Sequence, residues 1–227
     1  MLSSATATRH RALPDRSLRL PVSERDTALL SSAFPGAGLA DAGSATSVEP
    51  SRLARLLHPS ARPERLSEAE LLLLVGEICD QVPTERPTPG STAGRRYVRL
   101  FRTEAAEAWI IAWAPSAYLG LHDHGDSRGA FQLVSGQLRE VSTDLVDREP
   151  LTTLRLRAGA GRSLRSDHVH DLWNPTGEPA LSVHVYSPPL RSMNFYSNDP
   201  DTYLAKLRTE TEDQWPDPSH WAERAIG

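Results

Sequence analysis

The alternation of apolar and polar positions divides the chain into a helical part and a β part. Leu53, Leu56 and Leu57 recur at the spacing of one helix face. Ser67 followed by Glu70 is a capping-box signature ahead of the apolar run Leu71–Ile78, so a helix is expected to open there and to end at Cys79. Pro83, Pro87 and Pro89 then break the pattern as a linker does. From Arg95 to Ser187 the period falls to two. The segments 96–103, 107–114, 130–135, 137–143, 151–157 and 180–187 alternate as short strands, with turn residues between them. Many short strands at this spacing predict a mainly β fold of the sandwich or barrel kind.

The flanks read differently. Residues 1–50 are rich in Ala, Gly, Ser and Thr and lack apolar periodicity, the pattern of a poorly ordered or loosely packed lead-in. The stretch holding Arg9, Arg11, Arg16 and Arg19 has no apolar core of the secretory-signal kind. Residues 199–227 return to polar, helical character, with Trp215 and Trp221 to anchor them on the barrel. The expected organisation is a lead-in over 1–50, a helical flank and Pro-rich linker over 51–94, a barrel over 95–198 and a C-terminal extension over 199–227.

Composition narrows the class of partner. With 39% hydrophobic and 24% charged residues among 227, the chain is an ordinary globule with room for a real core. The longest apolar run, Leu71–Val75, falls far short of the ~18 residues a membrane span needs. A net charge of −4 argues against a nucleic-acid partner. Cys79 is the one cysteine, which excludes an internal disulfide and points to a reducing compartment, the cytoplasm. Nothing in the pattern calls for more than a monomer or a weak homo-oligomer.

The candidate chemistry lies in the β part. His122 and His124 are two apart, so on extended backbone both imidazoles reach one point. Ser182, His184 and Tyr186 alternate on one strand and share a face. Inside an apolar barrel three such groups are costly unless they bond one another. The other reading is a solvent-facing stripe, with Val183 and Val185 in the core. His168 and His170 share a parity and compete as partners of the first pair. Tyr97 and Arg99 also share a face, and a guanidinium offers a planar fork to two carboxylate oxygens.

The run Gly120-Leu121-His122-Asp123-His124, then Gly136, then Gly159, His170 and Asn174, resembles the two motifs of the cupin family. Tyr97-Val98-Arg99, Trp113, Ser127, Gly136-Gln137-Leu138-Arg139-Glu140 and above all Ser182-Val183-His184-Val185-Tyr186-Ser187-Pro188-Pro189 resemble its thiol dioxygenase branch, the cysteine dioxygenase family. The resemblance covers residues 95–196 and implies a single cupin-type, jelly-roll-like β-barrel with a helical N-terminal flank and a short C-terminal extension. It implies Fe(II) as cofactor, held by His122, His124 and His170, with Asn174 at the motif spacing selecting His170 over His168. It implies a Ser182–His184–Tyr186 relay at the substrate, and Arg99 with Tyr97 as the substrate-binding pair. The implied reaction is oxidation of L-cysteine by O2 to cysteine sulfinic acid, a step of cysteine catabolism.

Departures from the pattern matter too. The usual glutamate of the first motif falls at Arg128 or Gly129, leaving a set of three neutral histidines. Gly129 also stands where some relatives carry a cysteine cross-linked to the tyrosine, so no thioether is expected. Trp113 and Met193 are candidate pocket walls. The competing readings are a dioxygenase for another small thiol (3-mercaptopropionate or mercaptosuccinate), a non-catalytic metal-binding sensor, and a zinc isomerase.

Overall fold

The computed structural model describes residues 55–56, 65–82, 94–146, 151–215 and 222–224. The lead-in over 1–50, the Pro83–Pro89 linker and Trp221 lie outside the described residues. Helix α1 spans Glu68–Cys79 and opens as its sequence dictates. The Ser67 hydroxyl accepts from the Glu70 backbone N–H, and the Glu70 carboxylate accepts from the Ser67 N–H at 2.9 Å, so two of the helix's orphan donors are satisfied.

Among the described residues eleven strands follow: β1 (Arg95–Arg102), β2 (Glu107–Trp113), β3 (Arg128–Ser135), β4 (Gln137–Asp144), β5 (Thr152–Arg157), β6 (Gly161–Leu164), β7 (His168–Trp173), β8 (Ala180–Ser187), β9 (Ser192–Tyr196), β10 (Lys206–Thr211) and β11 (Ala222–Arg224). They form a six-stranded sheet in the order β11-β1-β2-β8-β3-β6, a three-stranded sheet β5-β4-β7, and the ribbon β10-β9. The fold is therefore mainly β and jelly-roll-like. It is two facing sheets rather than a barrel closed by continuous hydrogen bonding. Isolated bridges, His122 to His170 and to Phe195 and Tyr118 to Trp173, tie the edges together.

Two apolar layers flank the large sheet. Between the sheets, Trp113, Phe131 and Leu133 meet Leu138, Leu156 and Leu172. On the outer face α1 lays Leu71, Leu74, Val75 and Ile78 against Val98, Ile110, Val183 and Val185. Strand β8 lies between these layers and is buried at every position. This settles the two readings of its alternation: the valines face the helix and the polar residues face the space between the sheets, and neither set faces solvent. Cys79 sits in the helix layer as an apolar filler, and burial pushes its thiol up to about 12.

The turn between β3 and β4 needs Gly136. Its φ is +80°, and a Cβ there would lie 2.7 Å from Ala180. The C-terminal segment departs from the helical expectation. Asp201 and Glu212 lie in single 3-10 turns, and between them β10 pairs antiparallel with β9. Five of its six positions are exposed, so no apolar alternation marks it as a strand. Trp215 packs against the inter-sheet core.

Candidate active site

The centre of the site is built from a loop and a strand. Residues 122–124 leave β2 through a turn and bond back across to β7. His122 and His170 exchange both backbone hydrogen bonds, each at 2.9 Å. Asp123 points away from its neighbours and clamps this loop. Its carboxylate accepts from Gly125 N–H, from Asn194 and from the Tyr196 hydroxyl. Position 123 is thus a fastener, and the flanking histidines turn inward together.

His122, His124 and His170 are all buried, with ring centroids 4.7–5.1 Å apart and one nitrogen of each within 4.8 Å of the others. Burial, reinforced by the other histidines, holds His122 and His124 well below the usual imidazole range. All three rings are therefore neutral and offer lone pairs. Their tautomers follow from their partners. His122 Nδ1 lies 2.8 Å from the Gly120 carbonyl, which can only accept. His170 Nδ1 lies 3.0 Å from the Glu140 carboxylate, likewise an acceptor. In both rings Nδ1 carries the hydrogen and Nε2 keeps its lone pair toward the centre. Both nitrogens of His124 are buried without a hydrogen-bond partner. A buried imidazole with no partner inside a cluster of neutral imidazoles is what a divalent metal with nitrogen preference would satisfy.

Glu140 was not anticipated from the sequence. It is fully buried on β4, where its carboxylate meets His170, His168 at 3.2 Å and the Arg162 guanidinium at 3.1 Å. Burial works to raise its carboxyl. The hydrogen bonds from His168 and His170 and the charge of Arg162 outweigh burial and hold it ionised. The three-histidine set is neutral, but an anion stands one hydrogen bond behind it. The one sequence signal is position: Leu138, Glu140 and Ser142 alternate inward on β4, and an acid in that row needs a partner. His168 bonds Glu140 and is the outer residue of the pair; His170 joins His122 and His124.

Ser182, His184 and Tyr186 form a chain along β8. Trp113 Nε1–H donates to Ser182 Oγ at 2.9 Å, Ser182 Oγ lies 2.9 Å from His184 Nε2, and His184 Nδ1 lies 3.3 Å from the Tyr186 hydroxyl. Ser182 already accepts from Trp113. Its own hydrogen is used if it donates to Nε2, which places the imidazole hydrogen on Nδ1, donating to Tyr186. Burial drives His184 to about 3 and keeps it neutral, and burial raises the Tyr186 phenol. The phenol hydrogen is then available to a partner in the cavity. Phe131 stacks on His184 at 5.1 Å and 13°, fixing its plane. Gly129 is the cross-strand partner of Tyr186, and a Cβ there would lie 2.9 Å from the tyrosine ring. Cys79 lies on the other face of the sheet from Tyr186.

The cavity is lined by His122, His170, His184 and Tyr186 on one side and by Tyr97, Trp109, Trp113, Leu172, Met193 and Trp215 among its other walls. Tyr97, Trp113 and Met193 are therefore brought to the site. Arg99 is not on this wall; its guanidinium stands over Trp109, 5.5 Å from the ring centre. The arginine on the wall is Arg95. Asn174 acts away from the centre, donating to the carbonyls of Ala114 and Glu178 and pinning the loop between β7 and β8.

A jelly roll that gathers two histidines of an HxH loop and a third from a later strand into one buried cluster is a cupin-type arrangement. Residues 95–199 match the family described as Cysteine dioxygenase type I. The chain is similar to "Cysteine dioxygenase type 1" of Danio rerio, with 32% identity over 94 residues, 37% of this chain and 45% of the relative. It is 30% identical to the Rattus norvegicus protein of the same name over 90 residues, 35% of this chain and 44% of the relative. The chain thus spans a little under half the length of these relatives. A solved structure from Thermus thermophilus aligns at 18% identity with a TM-score of 0.38, over 45% of this chain and 90% of that one. Among the described residues no helix is long and apolar enough to cross a membrane.

Proposed function

We propose that this protein is an Fe(II)-dependent thiol dioxygenase that converts L-cysteine and O2 to cysteine sulfinic acid. The observation that carries it is a cluster of three neutral buried histidines, His122, His124 and His170, two of which line one cavity with the phenol end of the Ser182–His184–Tyr186 chain. The match of residues 95–199 to the family described as Cysteine dioxygenase type I supports the same reading. His122, His124 and His170 would hold the metal. Bound there, Fe(II) supplies the Lewis acid that keeps a thiol deprotonated and the redox centre for O2.

The chain's own residues do the rest. Glu140 and the Gly120 carbonyl hold two imidazoles with Nε2 inward. The aromatic walls exclude water and strengthen every polar contact inside. Tyr186 presents its hydroxyl hydrogen to the thiolate or to the oxygen it receives, with its own oxygen held by His184. Both oxygen atoms of O2 end on sulfur, which loses four electrons, so no external reductant is required. A zinc isomerase would need a carboxylate on the cavity wall. Among the described residues none lines it; Glu140 faces His170 from behind.

The test is oxygen uptake by Fe(II)-loaded protein with L-cysteine, run beside 3-mercaptopropionate. One O2 consumed per thiol, with a sulfinate product, is expected. Tyr186→Phe should lower kcat by about tenfold or more while iron content holds. No uptake with either thiol by protein that retains stoichiometric iron would overturn the reading.

A further inference from the structure

Among the described residues, every residue that lines the histidine cavity comes from the segment 95–199 except Trp215, on the C-terminal extension. Trp215 is part-buried and packs against the inter-sheet cluster that includes Trp109, Trp113 and Leu190. The chain on either side of it is tied to strands that supply cavity walls. Before it, β10 pairs with β9, Glu210 opposite Met193; after it, β11 pairs with β1, Ala222 opposite Tyr97. Met193 and Tyr97 both line the cavity. The turn that carries Trp215 is also fastened. Glu212 N–H donates to the Arg191 carbonyl at 3.0 Å, and Trp215 N–H to the Glu212 carbonyl at 3.3 Å. Fully buried Glu107 is a common anchor. Its carboxylate accepts from Leu190 N–H at 2.9 Å and from Arg102 at 3.0 Å, and Arg102 donates onward to Glu212 at 2.7 Å. Two lining residues, Leu190 and Trp215, are thus held from one carboxylate.

We propose that Trp215 sets the size limit of the thiol this cavity accepts, restricting it to molecules no longer than cysteine; this rests on the thiol dioxygenase reading of the cavity. A thiol drawn to the histidines leaves the rest of the molecule facing the other walls. An indole is a large wall with only two rotatable bonds, so it adapts little to a longer occupant. Packing behind it adds to that stiffness, because a dense interior takes up an extra methylene only by moving side chains out of their preferred positions. The Arg102–Glu212 bridge contributes modestly, since Glu212 is half exposed. The paired strands and the packing of the indole supply most of the hold. Chemistry and selectivity then come from different parts of the chain. His122, His124, His170 and Tyr186 act on any thiol that reaches them, and a residue beyond the segment 95–199 decides how long that thiol is.

The test is calorimetric titration of the Fe(II)-loaded protein under argon with L-cysteine and with L-homocysteine, which is one methylene longer. Wild type should bind L-cysteine about tenfold or more tightly than L-homocysteine. Trp215→Ala should narrow that ratio to within about threefold, through tighter binding of L-homocysteine. Trp215→Phe should fall between the two, and it answers the question if the alanine variant does not fold. A role confined to stability would weaken both thiols together and leave the ratio where it was. An unchanged ratio in both variants, or a wild type that binds the two thiols equally, overturns the proposal. Oxygen uptake with L-cysteine in air is read separately. A Trp215-dependent ratio without uptake would sink the dioxygenase reading and leave the size-setting wall standing. Uptake with a ratio indifferent to Trp215 would do the reverse, and a wild type that binds neither thiol would overturn both.

Discussion

Glu140 shows how one side chain can set the properties of a site it does not enter. It aims His170 by taking the Nδ1 hydrogen, and its charge would offset part of what a dipositive ion would bring to three neutral rings. Glu140→Gln keeps the shape but removes the charge and leaves the amide free to present either end to His170. We expect a 10- to 100-fold loss of metal affinity, measured by titration with Fe(II) or Co(II), with little change in helix and strand content. An unchanged affinity would reduce Glu140 to an ordinary buried ion pair with Arg162. At this scale the sequence was legible where chemistry repeats within one stretch of chain. His122 with His124, and Ser182 with His184 and Tyr186, are period-two patterns. Glu140 escaped because its partners lie across β7 and β6, and Arg95 escaped because strand parity alone assigns it and Arg99 to the same face.

Elements were legible where their own residues alternate between apolar and polar. α1 and strands β1 to β5 and β8 carry their own alternation, and the expected boundaries fall within two residues of those observed. β10 does not, because its one apolar residue is Leu207 and it is held by pairing with β9. α1 matters to the site through β8. It covers the valine face of the strand whose other face holds the Ser182–His184–Tyr186 chain. A second tie is local: Leu66 N–H donates to Ser187 Oγ at 2.8 Å, at the end of the same strand. Ser67→Ala removes the cap at the start of this helix and should cost about 1 kcal/mol in chemical denaturation. Metal affinity should stay within twofold, since the histidines rest on a loop and β7, elements the helix layer does not include. A parallel fall in metal affinity would mean that α1 positions the centre as well as covering the sheet.

Across the whole molecule, the three histidines lie where separate parts of the jelly roll converge. The loop carrying His122 and His124 bonds to β7 through His170 and is fastened to β9 through Asp123 and Asn194. An ion bound by all three rings would therefore link the small sheet, the ribbon and the loop. Metal that binds the folded chain and not the unfolded one should raise stability by mass action, ~2.7 kcal/mol when its concentration is 100 times Kd. For a chain of this size that is about 5–11 °C in Tm. His122→Ala should abolish the shift. His168→Ala should retain it, because His168 reaches the centre only through Glu140. The second grouping that could hold an ion, Glu140 with His168 and His170, makes the opposite forecast. If metal bound there, the shift would survive in His122→Ala and vanish in His168→Ala. Thermal melts of the two variants with and without Fe(II) decide between the two positions, without reference to turnover.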